Sequence, residues 1–374
     1  MNVPDVILFG KRNLTMQIAL ITDQHFGGKQ DSQSFCDYIE RFYTNQFFPH
    51  LKENNISTVI DLGDTFDRRK YVNFQTLHRV KQFYFDVLME NNIQLHSIVG
   101  NHSTYFRNTN SVNSSELLYG HYENIATYAG PSTITLDDTP IDLLPWINSE
   151  NYDIMMEYIR NSKSQVGFGH LEVDGFAMYK GYVADTGLPK SLFNRYEVLC
   201  SGHYHHRSSQ GNIHYLGAPY EITWNDYDDP RGFHIFDTKT RELTFIQNEY
   251  RLFDKIYYND KSAVDWQNQD TGYYKNKVVK LIVEEKNNIA DFENYVERLY
   301  KSGLTDLTIL EDLSEYSARY SDDDESDDVE IGNTSTFLNE YVDSMPNDNV
   351  KHEERVKVKK LLQRIYDEAL NVND

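Results

Sequence analysis

Residues 16–25 read MQIALITDQH, residues 56–67 read ISTVIDLGDTFD, and residues 94–102 read QLHSIVGNH. Each stretch is a short apolar run that leads straight into acids, amides or imidazoles, which have no place in a core. Between the first and second runs, 32–52 carries Phe35, Ile39, Phe42 and Leu51 at helical spacing. Between the second and third, 73–90 carries Phe74, Leu77, Val80, Phe83, Val87 and Leu88 on one broad face. Strand–helix–strand–helix–strand at this spacing predicts a parallel sheet with helices on its faces.

Outward from this unit the pattern changes. Residues 132–144, 165–170, 197–201, 213–216 and 233–237 are short and strand-like, joined in places by long loops. A mixed sheet or two packed sheets accommodates them better than a doubly wound fold, so the expected class is α/β (α+β), with mixed sheets flanked by helices. After Tyr250 the chain starts again. Residues 277–284 (KVVKLIVE) read as a strand, 289–301 as a helix and 304–310 as a strand, a small βαβ-like unit. Residues 311–330 hold ten acidic side chains and one Arg, so like charges repel and little can be buried. Two helices follow, 336–345 and 352–370, split by Pro346-Asn347-Asp348. The second carries Val356, Leu361, Leu362, Ile365, Tyr366 and Leu370 as an apolar stripe. A helical hairpin too small for its own core needs a partner surface. The expected organisation is a main domain over 16–250, a small domain over 251–310, an acidic linker over 311–332 and a helical partner-binding segment over 333–374.

Composition narrows the classes. A chain of 374 residues with 39% hydrophobic and 14% aromatic side chains can bury a sizeable core, which excludes wholesale disorder. A net charge of −22 argues against a basic protein that coats DNA. Two cysteines, Cys36 and Cys200, exclude a disulfide scaffold and a thiolate metal cluster. There is no apolar run of membrane length, so a soluble, cytoplasmic protein without a membrane partner is expected. No G-x-x-x-x-G-K-[ST] stretch occurs; if ATP drives the reaction, a partner binds it.

The chemistry lies where the apolar runs stop. Asp23 and His25 follow the first, Gly63-Asp64 the second with Asp67 three residues on, and Gly100-Asn101-His102 the third. Gly169-His170 and Gly202-His203-Tyr204-His205 close two later runs. In α/β sheets, sites assemble at the carboxyl ends of strands. Oxygen and imidazole donors together suit Mn²⁺, Fe²⁺ or Zn²⁺, and the lack of cysteine speaks against a structural zinc site. Seven ligands are too many for one ion. They suit two ions about 3.5–4 Å apart that share a carboxylate, the arrangement that hydrolyses phosphate esters.

These five pieces, in order, resemble the calcineurin-like metallophosphoesterase pattern. Asp61-Leu-Gly-Asp-Thr-Phe-Asp-Arg68, Leu144-Pro-Trp146, Tyr215-Leu-Gly-Ala-Pro219 and Asp229-Pro-Arg-Gly-Phe233 narrow the likeness. They resemble the SbcD-type nuclease subunits of double-strand-break complexes, and among these the small subunits of tailed-phage recombination endonucleases. The resemblance implies that Asp23, His25 and His205 hold one ion, that Asn101, His170 and His203 hold the other, and that Asp64 bridges them. It makes His102 the proton donor to the leaving oxygen. It also implies manganese dependence, 3′-to-5′ exonuclease action on double-stranded DNA ends, nicking of single-stranded DNA, a homodimer, a small capping domain that binds DNA, and a partner ATPase with a long coiled coil.

One departure stands out. Where the family often places an acid after Asn-His, Ser103 stands here, so either another carboxylate supports His102 or its proton-donor role is weakened; Asp67 is a candidate for that support, or else a turn residue that steadies its loop. Arg68-Arg69-Lys70 is a candidate DNA-backbone contact, since phosphate contacts position a duplex without reading its sequence. A second face of the helix 73–90, with 113–118, is the expected dimer contact. Two other readings use the same fold. A small-substrate phosphatase or cyclic-nucleotide phosphodiesterase has no need of the second half of the chain. A non-catalytic scaffold would have lost ligands, and every one is present.

Overall fold

The computed structural model describes residues 15–179, 182–184 and 186–311, with Arg355, Val358 and Lys359. The acidic linker beyond Glu311 and the helices expected over 336–345 and 352–370 otherwise lie outside the described residues.

The strands are β1 (Gln17–Ile21), β2 (Thr58–Asp61), β3 (Gln94–Ile98), β4 (Ile125–Tyr128), β5 (Ser132–Leu136), β6 (Thr139–Leu144), β7 (Val166–His170), β8 (Ala177–Tyr179), β9 (Tyr182–Val183), β10 (Val198–Gly202), β11 (Ser208–Gln210), β12 (Ile213–Tyr215), β13 (Gly232–Asp237), β14 (Leu243–Gln247), β15 (Phe253–Asn259), β16 (Val278–Glu285) and β17 (Asp306–Glu311). The first sheet has the order β14-β13-β1-β2-β3-β4. Its strands β1 to β4 run parallel, as the opening pattern predicts. The sheet is nevertheless mixed, because β13 returns antiparallel beside β1 and carries β14 with it. The second sheet has the order β11-β12-β10-β7-β6-β5, parallel in its middle and antiparallel at both edges.

Side-chain alternation along the strands explains why the two sheets stack. Ile18, Leu20, Ile60 and Ile98 of the first sheet share one buried cluster with Ile141, Leu143, Val166, Phe168, Val198 and Cys200 of the second. Ala19, Ile21, Val59 and Leu95 point the other way, beneath the helical arms over 33–53 and 74–90. On the far side of the second sheet, Leu199 packs with Met155, Met156 and Ile159 of the helix Tyr152–Asn161. The helical arms start on side-chain caps: Ser32 Oγ accepts from Phe35 N at 3.4 Å, and Asn73 Oδ1 from Gln75 N at 2.9 Å. Phe74, expected on the buried face, is instead 84% exposed, because it stands at the first helical position, ahead of the turn that reaches the sheet.

The segment after Tyr250 is larger than a βαβ unit. Strands β15, β16 and β17 form an all-parallel sheet, with the helix Ile289–Lys301 crossing from β16 to β17. It has its own core of Ile256, Tyr258, Leu281, Phe292, Tyr295 and Leu299. The buried Glu221 carboxylate fixes the start of β15 by accepting the N–H groups of Leu252 at 2.6 Å and Phe253 at 2.9 Å.

Candidate metal centre

The polar residues singled out in the sequence lie at one end of both sheets. Asp23 and His25 follow β1, Asp64 follows β2, Asn101 and His102 follow β3, His170 ends β7, and His203 and His205 follow β10. The chain turns hard there. Asp23 (φ 51°), His25 (φ 44°), Asp64 (φ 55°) and His203 (φ 90°) all occupy the left-handed region, which costs free energy for side chains other than glycine. Backbone bonds hold these turns together: Asp23 N donates to Gly63 O and His25 N to Asp64 O, both at 3.0 Å. Close approach demands the glycines. A Cβ at Gly100 would stand 2.2 Å from Asp64 Oδ1, and one at Gly63 2.6 Å from His170 Nδ1.

The side chains gather in linked groups. Asp23, His25 and His205 bring donor atoms within 4.8 Å of one another, with the Nε2 atoms of the two histidines 3.0 Å apart. Asn101 Oδ1 lies 2.8 Å from His170 Nε2 and 2.9 Å from His203 Nδ1. Asp64 Oδ2 is 3.3 Å from His170 Nε2, and Asp23, Asp64 and His170 again lie within 4.8 Å. All seven expected ligands thus share one cluster, with Asp23, His25, Asp64 and His170 buried and Asn101, His203 and His205 half-buried, in which Asp64 and Asp23 join the two groups. His170 Nδ1 donates to the Leu62 carbonyl at 2.7 Å, which turns Nε2 toward the cluster. Imidazoles, carboxylates and an amide oxygen, with no thiol among them, form a donor set suited to divalent cations.

The electrostatics follow from burial and crowding. Burial raises the Asp64 pKa, but His170, His102 and His25 outweigh it and hold the carboxyl well below its usual range. Burial, followed by the charge of His170, pushes His203 down to about 3, so the ring stays neutral, with one nitrogen free to act as a ligand. His25 moves up despite burial, because Asp67, Asp64 and Asp23 surround it.

Asp67 does two things. Its carboxylate Oδ1 stands 3.1 Å from His25 Nδ1, while its backbone carbonyl accepts from His102 Nδ1 at 2.5 Å. His102 also donates its backbone N–H to Asp64 Oδ1 at 2.7 Å. His102 is therefore supported by a carbonyl rather than by a carboxylate. Ser103 turns inward, its Oγ accepting from Gly100 N at 3.3 Å. Arg68 is tied to Asp31 Oδ2 at 3.0 Å and lies over the Tyr71 ring at 4.9 Å. Together with Arg69, Lys70, Tyr105 and Leu117, these two residues line a cavity of about 230 Å³.

Sequence reasoning assigns no role to two neighbours of the cluster. Asp61 is fully buried and accepts from Thr65 Oγ1 (2.6 Å), Gln24 Nε2 (2.9 Å) and Gly63 N (3.1 Å), so it braces the Gly63-Asp64 turn from below. Burial pushes its carboxyl up to about 7. A signal does exist in the sequence: an acid that ends the apolar run TVID must find partners once that strand is buried. Trp146 sets its ring 5.1 Å from that of His203 and 6.1 Å from that of His170.

Comparison with known proteins identifies the family. Residues 16–207 match the calcineurin-like phosphoesterase family. Exonuclease subunit 1 of Enterobacteria phage T4 is 32% identical over 355 residues, spanning 95% of this chain and 99% of its own. The SbcD subunit of nuclease SbcCD from Staphylococcus saprophyticus is 20% identical over 388 residues, spanning 95% of this chain and 100% of its own. A solved archaeal phosphodiesterase overlaps 62% of this chain and 99% of its own, at 13% identity and a TM-score of 0.32. The family match takes in both sheets' ligand-bearing turns through His205, and the phage relative extends the likeness along nearly the whole chain. The chain therefore belongs to the calcineurin-like phosphoesterase family and is a metal-dependent phosphoesterase.

Proposed function

We propose that this nuclease of the phosphoesterase family is a DNA-degrading subunit with a two-ion centre, manganese in the working enzyme. Asp23, His25 and His205 would hold one ion, Asn101, His170 and His203 the other, and Asp64 would bridge them. Bound there, the ions lower the pKa of a water and neutralise phosphate charge. The chain's own residues do the rest. His102 keeps Nδ1–H on the Asp67 carbonyl in either protonation state, which aims Nε2. As the P–O bond breaks, Nε2 delivers its proton to the leaving oxygen. Arg68, Arg69 and Lys70 would steady the DNA backbone beside it.

The observation that carries this reading is the position of Asp64, one oxygen beside His170 and the other on the His102 backbone N–H, at the junction of both donor groups. The relatives are named as an exonuclease subunit and a nuclease subunit, which supports a nuclease that works beside another subunit; double-stranded ends and single-stranded DNA would be its substrates and a coiled-coil ATPase its partner. Residues 251–310 would serve as a DNA-binding cap and 333–374 as the ATPase-docking segment. A small-substrate phosphatase leaves the separately cored β15–β17 sheet without a purpose.

Digestion of linear duplex DNA with Mn²⁺ tests the proposal. Asp64→Ala is expected to lose bound metal and all activity. His102→Asn is expected to keep both ions and lose turnover by about 100-fold or more. Survival of the duplex while a chromogenic phosphomonoester is cleaved would overturn the DNA reading.

A further inference from the structure

Two motifs of the sequence, Tyr215–Pro219 and Asp229–Phe233, contribute no side chain to the metal centre. Both converge on one atom, the backbone carbonyl oxygen of His205. Ala218 donates its N–H to that oxygen at 3.0 Å, and Arg231 Nη1 donates to it as well. Gly217 sits at φ 74° so close that a Cβ there would be 2.7 Å from the same oxygen.

Arg231 is placed rather than merely present. It is 5% exposed, and its Nη2 bonds Asp226 Oδ1 and Asp229 Oδ2, each at 2.7 Å. Both carboxylates are fixed in turn. Asp226 Oδ2 accepts from Ile222 N at 2.7 Å and Thr223 N at 2.8 Å, and Asp229 Oδ2 lies 2.8 Å from His206 Nδ1. Of the two terminal guanidinium nitrogens, Nη2 is thus locked between two acids while Nη1 is aimed at the carbonyl, a geometry that the planar fork of arginine permits and a lysine ammonium does not. A buried triad of this kind is a poor means of gaining stability, since apolar side chains of equal volume commonly do as well. Its yield is position.

The position matters because of what His205 does. His203 is held independently, its N–H bonding both oxygens of Asp23 at 3.0 and 3.2 Å. His205 lies beyond it, where the chain leaves for the β11–β12 hairpin. We infer that Arg231 is a positioning residue for the metal centre, which fixes the His205 backbone so that the imidazole meets the ion shared with Asp23 and His25. This inference rests on the two-ion reading above.

Mn²⁺ titration of the full chain, followed by electron paramagnetic resonance and by calorimetry, tests it, with the thermal midpoint in chelator read alongside. Arg231→Lys keeps the charge between the carboxylates but loses the fork. It is expected to weaken one of the two ions about tenfold or more and the other less than about threefold. Asp229→Asn leaves Arg231 with Asp226 and is expected to weaken the same ion by a smaller factor; it carries the test if Arg231→Lys does not fold. Unchanged affinities in a folded variant, or equal weakening of both ions, would overturn the inference and leave Arg231 a structural strut. An unmodified chain that binds no second Mn²⁺ would overturn the two-ion reading itself, and this inference with it.

Discussion

At the scale of single residues, Asp67 meets two histidines with two different groups. Its carboxylate faces His25 at 3.1 Å, and its carbonyl holds His102 at 2.5 Å. Asp67→Asn removes the negative charge beside His25 and leaves the carbonyl in place. The main effect is therefore expected on metal requirement: the Mn²⁺ concentration for half-maximal nuclease activity rises by about tenfold, in the range found when the partner of a metal-binding histidine is removed. A fall in turnover at saturating Mn²⁺ with no change in metal requirement would show that the carboxylate serves His102 instead. The same residue marks the limit of what sequence conveys. Asp23, His25, Asp64, Asn101, His170, His203 and His205 are legible because each stands just past or at the end of an apolar run. The support of His102 is not, because a backbone carbonyl has the same letter-independent chemistry at every position. Arg231 stands in a legible motif whose purpose is hidden, since its target is also a carbonyl, 26 residues away in sequence.

At the scale of elements, β13 turns a parallel sheet into a mixed one by pairing with β1, Leu20 opposite His234. His234 is buried with its ring 5.1 Å from that of Phe245. Burial, then the charges of Arg207 and His214, push its pKa from 6.5 down to about 3. The folded chain thus keeps His234 neutral where the unfolded chain protonates it. Stability from this site is fully present above pH 6.5 and drains away as pH falls toward 3. Between pH 7 and pH 5 the loss is about 2 kcal/mol. His234→Phe is expected to flatten that part of the curve, read as the difference in urea midpoint between the two pH values; an unchanged difference would place the acid sensitivity elsewhere. Strand legibility follows the same logic of burial. Strands β1, β2, β3, β7 and β10 are buried along most of their length and read as short runs rich in apolar residues. β15 escapes such a reading because its buried residues Phe253, Ile256 and Tyr258 follow neither the period of a strand nor that of a helix, and its register slips at Tyr258/Asn259.

At the scale of the whole molecule, the questions are what the chain docks on and whether it pairs with itself. The segment 333–374 is proposed as the ATPase-docking piece. Deletion of 335–374 is expected to abolish co-purification with the coiled-coil ATPase while leaving Mn²⁺ binding intact, and retained co-purification would rule that site out. Self-association has a surface argument of its own. Tyr71 is 62% exposed and Leu117 70%, and both rim the cavity of about 230 Å³ that also takes in Val72 and Tyr105. Phe74, 84% exposed, opens the helical arm beside Tyr71. Large apolar side chains scattered singly on a surface need no explanation, but several around one cavity mark a contact. A twofold interface duplicates every substitution across its axis. Leu117→Glu would therefore replace two apolar contacts by two carboxylates across the axis, a cost that Arg68, Arg69 and Lys70, which line the same cavity, offset only in part. The expected result is a shift in solution mass from a dimer to the 43.9 kDa of one chain, with metal binding retained because the cluster of Asp23, Asp64 and His170 draws on none of these side chains. A mass of 43.9 kDa for the unmodified chain at tens of micromolar would rule out self-association through this patch.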